Sequence, residues 1–444
     1  MRIVSAEFKE NAYSDARSTN IRLIAYLSNG TETVFNSDHI YNATVDIGST
    51  TGLQIGVTYC SKLSVALLGV GSFNYKKLKL EISFGDLNEW LSLGTFYVDS
   101  VNTSQKITKV NAYDRMLRLQ KSYYQQTPTG LGWKLYLDEI CTKQRITYAN
   151  NTFDLPESIK INSAIKKGTD KDGKNVNFTY REVMNYFASA NGTNLFFVDD
   201  ELRSAKFAAT NDKISPNRIY EDSYTGETYG VTGVKWVENG QSASRNDEDA
   251  SGIVQFVNPL AWSAKEMVYN HINNKTKSIA YEGGTIKTLG CGWREIGDII
   301  TTYSVSDGDP YFHTFLITGI KYTIQRGEFT ETLYSSAQTS SQENYNSGDV
   351  SGQTVPPSVV GYGGGSAQTY TTGIDFSNSG FVNKFKSEAG DEQSNAWSWQ
   401  ISGDNITSLY NSDTGRSILI SGLETADEFL TVAEVDEIWT EVIG

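Results

Sequence analysis

The chain has 444 residues, enough for about two to four domains with packed cores. Its 38 lysines and arginines against 52 aspartates and glutamates leave a net charge of −14, which argues against a surface that neutralises nucleic-acid phosphates over the whole molecule. With 26 tyrosines and 39 glycines but only 7 prolines, the composition suits many strands joined by tight turns.

The opening third reads as short strands. Ile21 to Leu27, Ile40 to Ile47, Leu63 to Leu68 and Leu78 to Ile82 are β-branched or apolar segments, punctuated by turn residues such as Asn29-Gly30. Lys77, Lys79 and Glu81 alternate with Leu78, Leu80 and Ile82, the period of a strand with one wet face. A strand carrying Phe96 and Val98 is expected to pair with one carrying Ile107 and Val110, and the chain then leaves the sheet through Tyr113-Asp114 into a short helix. Asp114 sits where a carboxylate accepts the free N–H groups of a helix start, so it reads as a cap rather than a catalytic acid.

From Trp133 to Ile146, Leu137, Ile140 and Cys141 fall at helical spacing. A second helix opens on the capping box Thr179-Tyr-Arg-Glu182, carries Val183, Met184, Phe187 and Ala188 on one face, and closes at Asn191-Gly192. A strand over Leu195 to Val198, a turn at Asp199-Asp200 and a strand over Leu202 to Phe207 follow, so this part of the chain reads as an α+β insertion. Strands resume at Gly230 to Val237. Three long strands, Gly297 to Val305, Phe315 to Ile324 and Phe329 to Ser335, then suggest a closed or nearly closed barrel.

No lysine or arginine occurs between Arg326 and Lys384, and the stretch after Ser335 is rich in Ser, Thr, Gln and Gly, the composition of a flexible linker. Residues 372–444 hold 13 acidic and 3 basic residues and so carry −10 of the net charge. Thr431-Val-Ala-Glu434 is a further capping box. Val435, Ile438, Trp439 and Val442 then make one apolar face of a short terminal helix, which needs a partner surface to be stable.

Chemistry is sparse. Cys60, Cys141 and Cys291 stand far apart with no CxxC pair, so they indicate neither a disulfide framework nor a thiolate zinc site and read as small core hydrophobes. His39, His271 and His313 form no HExxH or i, i+4 pair, and His313 reads as a satisfied histidine among aromatic neighbours. Gly283-Gly284, Gly290, Gly292 and the run from Gly361 to Gly365 have no following GKS or GKT, so none reads as a phosphate loop. Asp170-Lys-Asp172-Gly173 departs from a calcium loop in its glycine position, and Arg181 stands where the bidentate glutamate belongs. It reads as a hairpin turn, as does Asp307-Gly308-Asp309-Pro310. The expectation is no catalytic residue, no cofactor and no metal. The longest apolar run, around Val65 to Val70, is a strand's length and no membrane span, and the opening residues lack a secretion-signal pattern, so synthesis in a cytoplasm is expected. A carbohydrate-binding or glycoside-hydrolysing β-rich protein is the alternative, since Trp397 and Trp399 alternate as on one strand face and carboxylates abound.

Three stretches resemble the hub proteins of phage tails and phage-tail-like particles. Trp90-Leu-Ser-Leu-Gly94-Thr-Phe96-Tyr-Val98 with Val110-Asn-Ala-Tyr113-Asp114-Arg115-Met116 is similar to the strands closing the first hub barrel. Tyr180 to Ala188, Ala190-Asn-Gly192 and the hairpin after them are similar to the helix and hairpin between barrels. Gly297-Asp-Ile-Ile through Leu316-Ile-Thr-Gly-Ile-Lys-Tyr to Phe329-Thr-Glu-Thr-Leu resembles the close of the second barrel. The resemblance spans about residues 1–337. It implies a mainly β fold with an α+β insertion: a first hub β-barrel (1–119), a peripheral α+β insertion domain (120–229), a second hub β-barrel (230–337), a flexible linker (338–371) and an acidic C-terminal module (372–444). It further implies a homotrimer in the virion's distal tail or baseplate, made in the host bacterial cytoplasm, that continues the tail tube. Its partners would be a distal tail ring protein, the tape measure protein and fibre, spike or receptor-binding proteins, and genomic DNA would pass through without specific binding.

Overall fold

In the computed structural model the described residues are 1–336, apart from short stretches at 15–16, 50–52, 54, 105, 167, 170–174, 232, 239–240, 246–252, 278, 307–308 and 326, together with three strands between 397 and 419. The protein is rich in antiparallel sheet. Eleven strands form one large sheet: β1 (Thr19–Tyr26), β2 (Glu32–Asn36), β3 (Ile40–Gly48), β4 (Lys62–Leu68), β5 (Lys77–Phe84), β6 (Leu91–Thr103), β7 (Ile107–Tyr113), β8 (Ile219–Gly230), β9 (Ala280–Leu289), β10 (Gly319–Gln325) and β11 (Glu328–Ser335). Their order is β8-β9-β11-β10-β3-β4-β7-β6-β5-β1-β2, and every neighbouring pair is antiparallel.

Alternation along each strand sets the two faces of this sheet. On β3, Ala43, Val45 and Ile47 are buried while Asn42, Thr44 and Asp46 point the other way. The early and late strands meet at a seam between β3 and β10, in register from Gly48↔Gly319 to Asn42↔Gln325. Only glycine fits there. A Cβ at Gly48, whose φ is +80°, would lie 2.4 Å from the Thr318 carbonyl oxygen, and one at Gly319 would lie 2.4 Å from that of Ser49. Against the apolar face lies helix α1 (Ala6–Ala12), capped by Ser5, with Phe8 packed edge-on to Phe84 at 5.1 Å and near Trp293 at 6.3 Å.

The insertion is built around helices α2 (Trp133–Lys143) and α3 (Tyr180–Ala190). The Thr179–Glu182 capping box forms in both directions. α3 is buried nearly all round, not on one stripe, because Phe187 meets both Trp133 and Trp262 while Tyr186 meets Phe178 on another side. The Leu195–Val198 and Glu201–Ser204 strands pair through Asp199 and Asp200, both at positive φ, as a two-residue hairpin of this twist requires. Helix α4 (Lys265–Thr276) is absent from the sequence pattern because it lacks a side-chain N-cap and its buried face mixes the polar Asn273 and Thr276 with Val268, Tyr269 and Ile272.

Three expectations are corrected. Phe315 to Ile324 is not one strand, because the backbone changes partners at Ile317 and Thr318. Ile317 exchanges hydrogen bonds with Gly297 and Asp298, whereas Thr318 donates to Tyr334, so the Asp309–Leu316 strand joins Asp298–Ser306 and Ala208–Ile214 in a separate sheet. The strand near Gly230 to Val237 runs from Gly233 to Glu238 and pairs with Gln241–Arg245 and Ile253–Val257, not with the large sheet. Glu81 is no part of a wet face: it is buried, because Arg22 and Lys79 close over it as ion pairs at 2.6 and 2.8 Å.

Residues 168–169 pair with 175–176, so a hairpin encloses the Asp170–Gly173 motif, whose tip lies outside the described residues. Asp298–Ser306 and Asp309–Leu316 likewise pair on either side of Asp307-Gly308, which lie outside the described residues, and Asp309 and Pro310 belong to the second strand. Trp397–Ser402, Asn405–Asn411 and Ser417–Leu419 form a small antiparallel sheet, and Trp397 and Trp399 belong to its first strand. The expected linker and the helix carrying Val435, Ile438, Trp439 and Val442 lie outside the described residues.

Candidate functional site

The polar face of the large sheet is organised in rows. Following the register from edge to edge, one row runs Glu221, Lys287, Thr332, Lys321, Asp46, Lys62, Tyr113, Tyr97, Lys77, Tyr26 and Glu32, one residue from every strand. No aliphatic side chain interrupts it. Its charged members run Glu221, Lys287, Lys321, Asp46, Lys62, Lys77 and Glu32, so three carboxylates bound two pairs of lysines, and Lys321 reaches Asp46 at 4.0 Å. Burial pushes the Asp46 carboxyl up, against the pull of Lys321 and Lys62. The neighbouring row toward the turn at 326–327 is Thr330, Thr323, Thr44, Ser64, Asn111 and Ser100, with Ser64 donating to Asn111 at 2.9 Å. Sequence alternation marks each strand's polar face, but only the register aligns them into rows that cross the seam.

On the opposite face a charged cluster is sealed in the core. Arg294 binds Glu331 directly and Asp212 at 2.6 Å, and donates to the Tyr13 hydroxyl at 3.2 Å. Glu331 also accepts from the backbone N–H of Cys291 at 3.2 Å and from its thiol at 3.5 Å. Burial works against the charge of Arg294, but the carboxylates of Glu331 and Asp212 more than offset it and hold its pKa above the ordinary range. Burial pushes the Cys291 thiol well up, so it is a protonated hydrogen-bond donor and not a nucleophile. The cluster ties α1, the Ala208–Ile214 strand, the loop before Asp298 and β11 together; it is a clamp.

A second cluster marks the exit from β7 into the insertion. Asp114 caps the short 3-10 helix Arg115–Gln120 by accepting from Met116 N–H at 2.9 Å, as expected, and also accepts from Ser61 N–H at 2.7 Å. Burial raises its pKa to about 6, opposed by these hydrogen bonds and one from Cys60. Nearby, Tyr97 donates to Asp200 at 3.0 Å, and Arg115 binds both, joining β6 to the hairpin of the insertion.

The three histidines are apart. His313 is buried, stacked on Tyr224 at 3.7 Å and hydrogen-bonded to Glu282 at 2.7 Å, the satisfied aromatic environment its sequence implies. His271 lies 3.2 Å from Asp154, and His39 is exposed beside Phe35. Among the described residues no three His, Cys, Asp or Glu gather as a metal site, and no helix is long and apolar enough to cross a membrane. Gly283 and Gly284 lie within β9, packed against β8, not in a loop.

No family model matches the sequence, and no curated protein matches it. Solved structures do. A tail protein from Neisseria meningitidis MC58 is 11% identical over 71% of this chain and 95% of its own, with a TM-score of 0.44. The prophage MuSo2 43 kDa tail protein from Shewanella oneidensis is 13% identical, covering 72% and 100%, with a TM-score of 0.42. Prophage tail protein gp18 from Listeria monocytogenes EGD-e is 12% identical, covering 72% and 95%, with a TM-score of 0.41. The chain is similar to phage tail proteins. No residue role is transferred from this likeness.

Proposed function

We propose that this chain is a non-catalytic structural subunit of a phage or phage-tail-like particle, set at the tail tip or baseplate, where three copies form a hub that continues the tail tube. The observation that carries the reading is the seam, by which the two stretches carrying the hub motifs become one sheet with a continuous polar row on one side. The strands of residues 1–119 and those of 230–337, joined by β8 from the end of the insertion (120–229), are proposed to curve as the two hub barrels. Carboxylates at the two ends and in the middle of the row split its lysines into two pairs, so it offers no unbroken cationic track, which suits a wall past which a duplex slides without being held.

In this reading the hub contacts a distal tail ring protein and the tape measure protein on one side. On the other, residues 338–371 tether an acidic module, whose Val435, Ile438, Trp439 and Val442 engage fibre, spike or receptor-binding components for host attachment and DNA ejection. Light scattering and negative-stain imaging of the purified chain test it: ring-shaped trimers with a central hole are expected, and a compact monomer overturns the reading. Truncation after about residue 340 is expected to keep the ring and lose the distal component. That Trp397 and Trp399 fall within one strand favours a second reading, sugar binding by the C-terminal module, which glycan-array binding of the full chain tests.

A further inference from the structure

Helix α4 carries His271 and Lys275 one turn apart, and both reach the same carboxylate. Lys275 pairs with Asp154 directly, and the Nε2 of His271 lies 3.2 Å from the same Oδ1. That ring nitrogen is sealed from solvent and makes no hydrogen bond among the described residues. The His271 side chain is 17% exposed, whereas that of Asp154 is 57% exposed. The carboxylate is therefore solvated and screened, and the imidazole is not.

The backbone around this cluster is fixed. Asn191, the C-cap of α3, accepts from the N–H groups of Asp154 and Leu155 and donates to the Thr152 carbonyl, which fastens residues 152–155 to the end of α3. Gly192 follows at φ +63°, and a Cβ there would lie 3.3 Å from the Ile272 Cα, so α4 packs on bare backbone at the same point. Tyr269 of α4 donates to the Val234 carbonyl of the Gly233–Glu238 strand at 2.5 Å. Just past the helix, Ile279 donates to Thr276 and accepts from Val231, and β9 begins at the next residue. Helix α4 thus links the end of α3 to the entry of the large sheet.

Charge decides how this junction responds to acid. The charged groups that face His271 are Lys275 from its own helix and Asp154 from the 152–155 segment; α3 meets α4 at the neutral Gly192, and the Gly233–Glu238 strand meets it at Val234. With the ring neutral, Lys275 and Asp154 balance. A proton on His271 adds a second cation one turn from the first, where like charges on a helix repel, and leaves one screened carboxylate to serve both. Lys275 already occupies the last turn, where the negative end of the helix favours a cation, and His271 stands a turn earlier. Burial, and then Lys275, hold the ring's pKa below its ordinary value against the pull of Asp154. A lowered folded value means that stability from this group is full above about pH 6.5 and is lost as pH falls through the folded value.

We propose that His271, Lys275 and Asp154 form an acid-released latch, which holds α4 on the end of α3 at neutral pH and frees it when the imidazole is protonated. The released element is α4, and with it the insertion's hold on the entry to β9.

Hydrogen exchange of the full chain, followed by mass spectrometry at about pH 7.5 and 5 with labelling times scaled for the intrinsic rate, tests it. Opening of residues 265–276 is expected to rise about threefold or more at the lower pH, while α2 stays unchanged. His271→Gln is expected to abolish the rise. Lys275→Met keeps the ring and removes the competing cation, so its rise is expected to be less than half that of wild type; it also serves if circular dichroism shows His271→Gln unfolded. No rise in the wild type, an equal rise in α2, an undiminished rise in folded His271→Gln, or one in Lys275→Met as large as in wild type overturns the latch. None of these readouts depends on the number of copies in the assembly.

Discussion

Glu331 and Asp114 are both buried carboxylates, and their regions handle burial in opposite ways. Glu331, under the late strands, faces the guanidinium of Arg294 and keeps its neighbours charged. Asp114, at the exit from the early strands, accepts only from neutral donors, the backbone of Ser61 and Met116 and the Cys60 thiol, and its pKa climbs to about 6. Hydrogen bonds without a counter-charge thus orient a carboxylate but leave much of its desolvation uncompensated, whereas a paired ion locks several elements at once and is costly to break.

The largest expected effect comes from breaking the pair on one side. Arg294→Met leaves Glu331 and Asp212 buried without their cation and is expected to cost about 3–5 kcal/mol in urea unfolding, while adding Glu331→Gln should recover part of that loss. A loss under about 1 kcal/mol would show that the late clamp is no stronger than a surface pair.

Next comes the titration of Asp114. Its folded pKa lies above the unfolded carboxylate value of about 4, so the folded state holds the extra proton between about pH 4 and 6. Stability from this group is therefore full below about pH 4 and is lost as pH rises through about 6. Asp114→Asn should remove that slope from the pH profile of the unfolding midpoint relative to wild type; identical profiles would place the proton elsewhere.

Thr179→Ala is the smallest change and sharpens the comparison, because the cap it removes involves no buried ion pair. It is expected to cost about 1 kcal/mol, which sets the worth of capping alone against which Asp114 is judged.

Several local features were legible because their cause is local. The α3 capping box, the cap at Asp114, the Asp199-Asp200 turn and the alternation of β3 through β7 each depend on residues within a few positions of one another. The break at Ile317 and Thr318 was not legible, because those residues are as apolar and β-branched as a continuous strand demands, and the change of partner depends on Gly297, Asp298 and Tyr334. The Arg294 clamp was equally hidden, since Tyr13, Asp212, Cys291 and Glu331 show no spacing that relates them.

The amino-acid order alone settled that this chain is mainly β with helices between its early and late strands, because period and turn chemistry act over a few residues. Only the tertiary structure decided that β3 and β10 join and that eleven strands share a polar row. Those outcomes follow from long-range register, where a shift of one residue would turn every side chain to the other face.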